Sequence, residues 1–238
     1  MKTLTKTILL LLTLLLLFAC FGPAQNDQFY PIHKDNYWEY EWTHYSNGIV
    51  DTMYSYTGRY SIDSIIHIDS LDLILGASVS TYGSSSRSIA RLFSNGEDGL
   101  YYNGYIVNGS MGMHESQLVC KYPVSVGDSW SSYFYNATTI EPYYWGNIKR
   151  KYSCVAIDEP FITICDTFST LVYYYLDKWG NNGFHEHNFE FYVNGLGKVG
   201  SEAYLSDTPM EGDTLYPFHQ RNASDLSYTM KLIDYLIY

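Results

Sequence analysis

A chain of 238 residues with 14 basic and 25 acidic side chains has a formal net charge of −11, which repels phosphate backbones and excludes nucleic acid as a partner. Twenty-six tyrosines and an aromatic content of 18% favour strands, because flat rings pack on a pleated, half-buried surface. Charged residues at only 16%, with seven prolines, exclude a disordered tail and leave one large β domain or two small ones.

Met1 to Cys20 reads as an export signal. Lys2 and Lys6 form a short positive region, and the Leu-rich run from Ile8 to Phe18 is too short for a bilayer that needs roughly twenty residues. Leu17-Phe18-Ala19-Cys20 resembles a bacterial lipobox, which implies cleavage after Ala19 and a lipid on Cys20. Several acyl chains, at about 0.8 kcal/mol per buried methylene, make such an anchor stable. Residues 1–19 are therefore expected to be a signal peptide and residues 20–29 a lipidated tether. Loss of Lys2 and Lys6 takes the net charge to −13. Phe21, rather than Asp, follows the cysteine. By resemblance to enterobacterial sorting, that implies the outer membrane, with the body in the periplasm or on the cell surface.

The body, residues 30–238, opens on a stretch that occurs twice. Tyr30-Pro31-Ile32-His33-Lys34-Asp35-Asn36-Tyr37-Trp38 returns as Tyr122-Pro123-Val124-Ser125-Val126-Gly127-Asp128-Ser129-Trp130. Tyr-Pro disfavours helix just ahead of each copy's turn. Each copy leads into an alternating aromatic segment, so each is read as the turn that launches the first strand of one half, 30–115 or 116–238, of a single β-rich domain.

After the first copy, Trp38, Tyr40 and Trp42 point one way and Glu39, Glu41 and Thr43 the other, the period of a strand with one buried face. Asn47-Gly48 tolerates positive φ and predicts a hairpin turn returning through Asp51 to Tyr60. The Ile/Leu-rich run from Ser61 to Tyr82 is too β-branched for a helix. Ser88 to Phe93 and Leu100 to Val107 bracket a second hairpin turn, Asn95 to Gly99. Asn108 to Met113 is expected to be loop. In the second half the predicted strands are Gln117 to Tyr122, Trp130 to Tyr135, Lys149 to Ile157, Phe161 to Asp177, Phe184 to Val193, Lys198 to Leu205 and Leu226 to Tyr238. Asn136 to Asn147 is expected to be loop, and Asp158-Glu159-Pro160 a turn. The pattern predicts an all-β antiparallel meander of about a dozen strands, forming a curved, half-open barrel or sandwich.

Three motifs recur together elsewhere: the Tyr-Pro-hydrophobic-x-x-Gly-Asn/Asp-x-Trp start, Thr167-Phe168 before an aromatic strand, and Asn194-Gly195-Leu196-Gly197-Lys198-Val199. With them the chain resembles a family of uncharacterised bacterial lipoproteins of Bacteroidetes type. The resemblance implies a half-open barrel similar to that of periplasmic lipoprotein carriers, and it transfers no catalytic residue. Lys34-Asp35 stands where Val-Gly is usual, and Ile164-Cys165-Asp166 where Pro-Ala-Gly is.

Candidate sites are few. Cys154 and Cys165 flank the expected Asp158-Glu159-Pro160 turn and are candidates for a cross-strand disulfide, which export permits; otherwise they and Cys120 are small buried residues. His185 and His187 share a strand face, a spacing that can grip a metal, yet the same face continues into Phe189 and Phe191 and supplies no third ligand. Tyr143-Tyr144-Trp145 in a loop can stack on a sugar ring or line a cavity. On Tyr173-Tyr174-Tyr175, alternation sends the middle ring to the opposite face. Asp51-Thr52-Met53, Asp63-Ser64-Ile65, Asp69-Ser70-Leu71 and Asp213-Thr214-Leu215 resemble an O-glycosylation tripeptide. No nucleophile elbow or phosphate loop is present. The sequence therefore predicts a lipid-anchored envelope protein without a cofactor, binding or scaffolding non-enzymatically, with an apolar ligand on a concave sheet. The rivals are a carbohydrate-binding surface lipoprotein and a hydrolase whose site the sequence does not mark.

Overall fold

Alternation makes the first strand, β1 (Tyr37–Ser46): Trp38 and Tyr40 are buried and Glu41 is exposed. Asn47 and Gly48 then adopt φ of 50° and 75°, the two positive values that a tight two-residue hairpin turn needs. The computed structural model describes residues 29–68, 71–82, 85–107, 110–134, 148–179, 184–206, 218 and 221–238. The chain continues through β2 (Ile49–Ile68), β3 (Leu71–Tyr82), β4 (Ser85–Gly96), β5 (Gly99–Val107) and β6 (Ser110–Lys121). The second half is β7 (Ser129–Phe134), β8 (Ile148–Ile162), β9 (Thr167–Trp179), β10 (Phe184–Val193), β11 (Gly197–Ser206) and β12 (Leu226–Leu236). A 3₁₀ turn at Ala223–Asp225, capped by the Asn222 side chain, leads into β12.

The twelve strands of the described residues form one antiparallel sheet, in the order β6-β5-β4-β3-β2-β1-β12-β11-β10-β9-β8-β7. Within each half every strand lies beside its neighbours in the chain, and the β1–β12 pair joins the two halves, which leaves β6 and β7 at the two edges. The sheet is all-β and curls until its two edges, β6 and β7, face each other. Among the described residues no ladder forms between them. Side chains cross the seam instead: Trp130 Nε1 donates to Leu118 O at 3.1 Å, and the Tyr173 hydroxyl donates to Lys121 O at 2.6 Å. The result is a meander curved into a half-open barrel.

Two of the expected loops are placed differently. Ser110 to Met113 belong to β6, so the connection from β5 is shorter than the Gly- and Met-bearing sequence suggests. Asp158-Glu159-Pro160 is no turn: Asp158 takes φ 56° and makes an irregularity within β8, and the register shifts between Cys154 and Glu159. The true turn lies at Thr163–Asp166, where Thr163 N donates to Asp166 O at 2.9 Å. Pro160 is tolerated because β7 pairs only with Ile148 to Ser153, which leaves this end of β8 with a free edge. The shift also removes the candidate disulfide. Cys154 pairs with Tyr173 inside the ladder while Cys165 sits in the exposed turn, and Cys120, Cys154 and Cys165 are all free thiols.

Candidate functional site: a tyrosine-lined cavity inside the curled sheet

The curled sheet encloses a cavity of about 330 Å³, at the small end of the roughly 300–1,000 Å³ range typical of ligand pockets. Its wall draws on both halves of the chain. Among the described residues eight of the lining side chains are tyrosines, and Trp42 and Phe93 add two more rings; only Leu100, Val119 and Met230 are aliphatic. The alternation that places Trp38 and Tyr40 in the core also turns Trp42 into this space, and Tyr175 on β9 faces it while Tyr174 does not. Burial raises the hydroxyl pKa of Tyr40, Tyr175 and Tyr192 well above the ordinary value and that of Tyr102 to about 12, so these rings stay neutral donors.

Four charged side chains reach the wall, and three of them are bound into pairs. Arg150 forms a two-pronged contact with Asp177, Nε to Oδ1 at 2.7 Å and Nη2 to Oδ2 at 2.5 Å, while its guanidinium lies 4.5 Å from the centre of the Tyr175 ring. Lys198 Nζ donates to Glu190 Oε1 at 2.6 Å, and the Tyr192 hydroxyl donates to Glu190 Oε2 at 3.1 Å. Burial alone would raise the Glu190 carboxyl. Lys198, with Arg150 and the Tyr192 hydrogen bond, outweighs it and holds the group below the usual carboxylate range. The fourth is Arg91 on β4, which lies beside Tyr102 and pulls that hydroxyl down against the larger effect of burial.

The end of the barrel at which β1 and β7 begin is sealed by the residues ahead of β1. Phe29 is buried, stacks on Tyr122 with centroids 4.6 Å apart, and accepts a hydrogen bond from Gly195 N. Tyr30 packs on Trp38 and forms part of the cavity floor. A Cβ on Gly197 would come within 2.6 Å of the Tyr30 ring, so the glycine leaves the space that this ring fills. Asn95 Nδ2 donates to Tyr30 O, and Trp38 Nε1 donates to Leu196 O at 2.7 Å. The Gly-Leu-Gly stretch thus serves the plug.

The two copies of the repeated segment make the same bridge. Asp35 N donates to Ile62 O and Ile62 N donates to Asn36 O; Gly127 N donates to Cys154 O and Cys154 N donates to Asp128 O. Asp35 and Gly127 both have positive φ, 73° and 93°. This is why glycine suits the position in the second copy, and why Asp, which tolerates the left-handed region, can fill it in the first.

The other sequence-predicted residues are dispersed. His185 and His187 are buried on the face of β10 turned away from the cavity, where the Tyr174 hydroxyl and His187 Nδ1 lie 2.8 Å apart and Phe189 continues the packing. Among the described residues no group of three or more His, Cys, Asp or Glu could hold a metal. Thr52 is exposed and Ser64 half-buried. Cys20, Tyr143, Tyr144 and Trp145 lie outside the described residues, as do the other two tripeptides in whole or in part. The residues that sequence reasoning missed are Arg91, Arg150 and Glu190. Arg91 stands between Ile89 and Phe93 at period two, and Arg150 between Ile148 and Tyr152, and that interruption is the signal that could have found them; Glu190 follows Glu186 and Asn188 on its face and carries no such signal.

Fold and cavity together define a half-open β-barrel with an aromatic, charge-bearing lumen. No protein-family model matches the chain, and no curated protein matches it. Two solved structures are similar to it. One is described as an exported protein with a YmcC-like fold from Bacteroides fragilis, 14% identical, at a TM-score of 0.48, with 88% of this chain and 99% of that one covered. The other is described as a lipoprotein from Parabacteroides distasonis, 13% identical, at a TM-score of 0.45 and with the same coverage.

Proposed function

We propose that the chain is a lipid-anchored cell-envelope protein, held in the outer membrane through Cys20, that takes a small ligand into the cavity of its curled sheet without transforming it. The cavity carries this reading: it is concave, walled by both halves of the chain, and large enough for a small molecule. Binding rather than chemistry fits the state of its charged groups. Glu190 is held ionised by Lys198 and Tyr192, and Arg150 is saturated by Asp177, so neither is poised to exchange a proton near neutral pH. The lipobox motif supports the anchor, and Phe29 begins the fold only nine residues after Cys20. A fully extended chain of that length reaches at most about 32 Å, so the plugged end stays close to the membrane.

The lining disfavours an aliphatic guest. Ten aromatic rings against three aliphatic side chains suit a flat or ring-shaped molecule better than an acyl chain, which brings the carbohydrate reading to the lumen rather than to Tyr143-Tyr144-Trp145. Two measurements test the proposal. Metabolic labelling with palmitate should mark the wild type and not Cys20→Ala. Native mass spectrometry of gently purified protein should reveal a bound small molecule that is lost when Tyr60→Leu and Tyr102→Leu strip rings from the wall. An unlabelled wild type would refute the anchor, and a ligand retained by the stripped variant would refute the site.

A further inference from the structure

We propose that the cavity is a site for a sugar acid: a single saccharide ring bearing a carboxylate, whose anion is taken by Arg91. This rests on the reading of the lumen as a ligand site and names the class of its occupant.

The balance of charge in the wall comes first. Three cations and one carboxylate line the cavity. Lys198 is neutralised by Glu190, and Arg150 by Asp177 behind it. That leaves Arg91, half-buried in the tyrosine-lined lumen, with no carboxylate beside it among the described residues. The excess is notable in a chain with 25 acidic and 14 basic residues, where an acidic partner would be the easy outcome of chance. A guanidinium in such a place is stabilised by an anion, and its planar fork fits a carboxylate through two parallel hydrogen bonds.

The rest of the wall selects the body of that anion. An acyl chain would ask for aliphatic contact on most sides, and the lumen offers little. A sugar ring presents apolar C–H faces to aromatic rings and hydroxyls at its edge. Tyr30 and Tyr60 line the cavity, their hydroxyls without a hydrogen-bond partner among the described residues, and Ser201 lies on the same wall. Phenols that stay protonated can both donate to and accept from sugar hydroxyls. A volume of 330 Å³ fits a molecule of one ring better than a longer glycan lying across the lumen.

Titration calorimetry on the full lipidated chain in detergent tests this with galacturonate and glucuronate against galactose and glucose. At least one acid should bind, and at least about tenfold more tightly than its neutral parent, the gap expected for a charge-assisted pair. Arg91→Gln should bring the acid down to the affinity of the neutral sugar, and Arg91→Lys should recover part of the loss. A Lys34→Gln control, on an exposed residue outside the cavity, should leave binding unchanged. Equal affinity for acid and neutral sugar, or an Arg91→Gln variant that binds as the wild type does, would overturn the proposal. So would a benzoate that binds more tightly than either acid, since that would make the site one for aromatic carboxylates. If a co-purified acyl chain fills the lumen and no sugar acid displaces it, the sugar-acid assignment fails while the lumen as a ligand site stands. If neither a co-purified molecule nor any of these probes binds, both fail.

Discussion

His187 should make the fold acid-sensitive in a window set by its own burial. The side chain is completely buried between Tyr174 and the aromatic cluster on the outer face of β10, and desolvation, with His185 beside it, lowers its pKa from 6.5 to about 4. A histidine with a depressed folded pKa binds fewer protons folded than unfolded. Its contribution is therefore complete above the unfolded value of about 6.5 and is lost as pH falls from there through the folded value of about 4. Integrated over that window, the loss is about 2 kcal/mol between pH 7 and pH 5 and approaches ~3 kcal/mol near pH 4. For a chain of this size the first figure lowers the melting temperature by roughly 4–8 °C. The assay is reversible thermal or urea unfolding at half-unit steps from pH 7.5 to 4.5, on the wild type and on His187→Asn. The amide keeps a hydrogen-bonding partner for the Tyr174 hydroxyl and does not titrate. The variant's absolute stability is not the readout, because a smaller side chain leaves a cavity. The readout is the slope between pH 7 and pH 5, to which the carboxylates contribute equally in both proteins. Parallel curves would refute the reasoning and mean that the imidazole is solvated in either charge state.

Three further outcomes follow from named contacts. Gly127→Ala should destabilise by about 1 kcal/mol through backbone strain alone, since a Cβ there meets nothing within 4 Å, and Gly127→Asp should cost less, as Asp35 does at the equivalent position; equal costs in urea titrations would contradict this. Glu190→Gln should lose about 3–5 kcal/mol, because it leaves the Lys198 ammonium unpaired against the cavity wall, and Glu190→Gln with Lys198→Met should regain much of it; a double mutant no better than the single would remove the pair as the cause. Alkylation of the unfolded, unreduced protein followed by mass measurement should find Cys120, Cys154 and Cys165 all as thiols, and a reductant should leave the melting temperature unchanged; a mass deficit of one disulfide would count against the β8–β9 register.

Much of the fold was legible because its signals are local. Alternation identifies β1 and β10, and Asn47-Gly48 fixes the first hairpin, since positive φ at two successive residues is hard for most others. Asp158-Glu159-Pro160 misled for an equally physical reason. Its composition suits a turn, yet the same left-handed tolerance of Asp lets one residue bulge while the strand goes on, and only the pairing partner decides between them. The disulfide failed with it, because the candidate pairing of Cys154 with Cys165 assumed that turn. The cavity was illegible because no single segment contains it. Arg91 and Glu190 become neighbours of the same space only when β1 pairs with β12 and the sheet curls; on its own strand Glu190 reads as a polar residue that belongs in water, and Arg91 as no more than a break in an apolar stripe.

The repeated Tyr-Pro segment connects these levels. In a meander every second strand runs the same way, so β1 and β7 both begin at one end of the barrel. The two copies meet there: Phe29, just ahead of the first, stacks on Tyr122, which opens the second. The first copy drives Trp38 into the core beneath the Gly195-Leu196-Gly197 turn, at the point where the two halves are joined by β1 and β12. The second sends Trp130 to Leu118 across the seam where β6 and β7 form no ladder. One sequence device therefore serves a hydrogen-bonded junction and an open one. The difference matters for the lumen, because a seam held by side chains costs less to part than a ladder of backbone bonds. If the ligand enters by parting that seam, Trp130→Phe, which removes the indole donor to Leu118 while keeping one aromatic ring against Tyr152 and Tyr173, should speed ligand association and dissociation together and leave the equilibrium affinity nearly unchanged. Stopped-flow binding with the sugar acid would read this directly, and a variant with wild-type rates would place the way in at another part of the barrel.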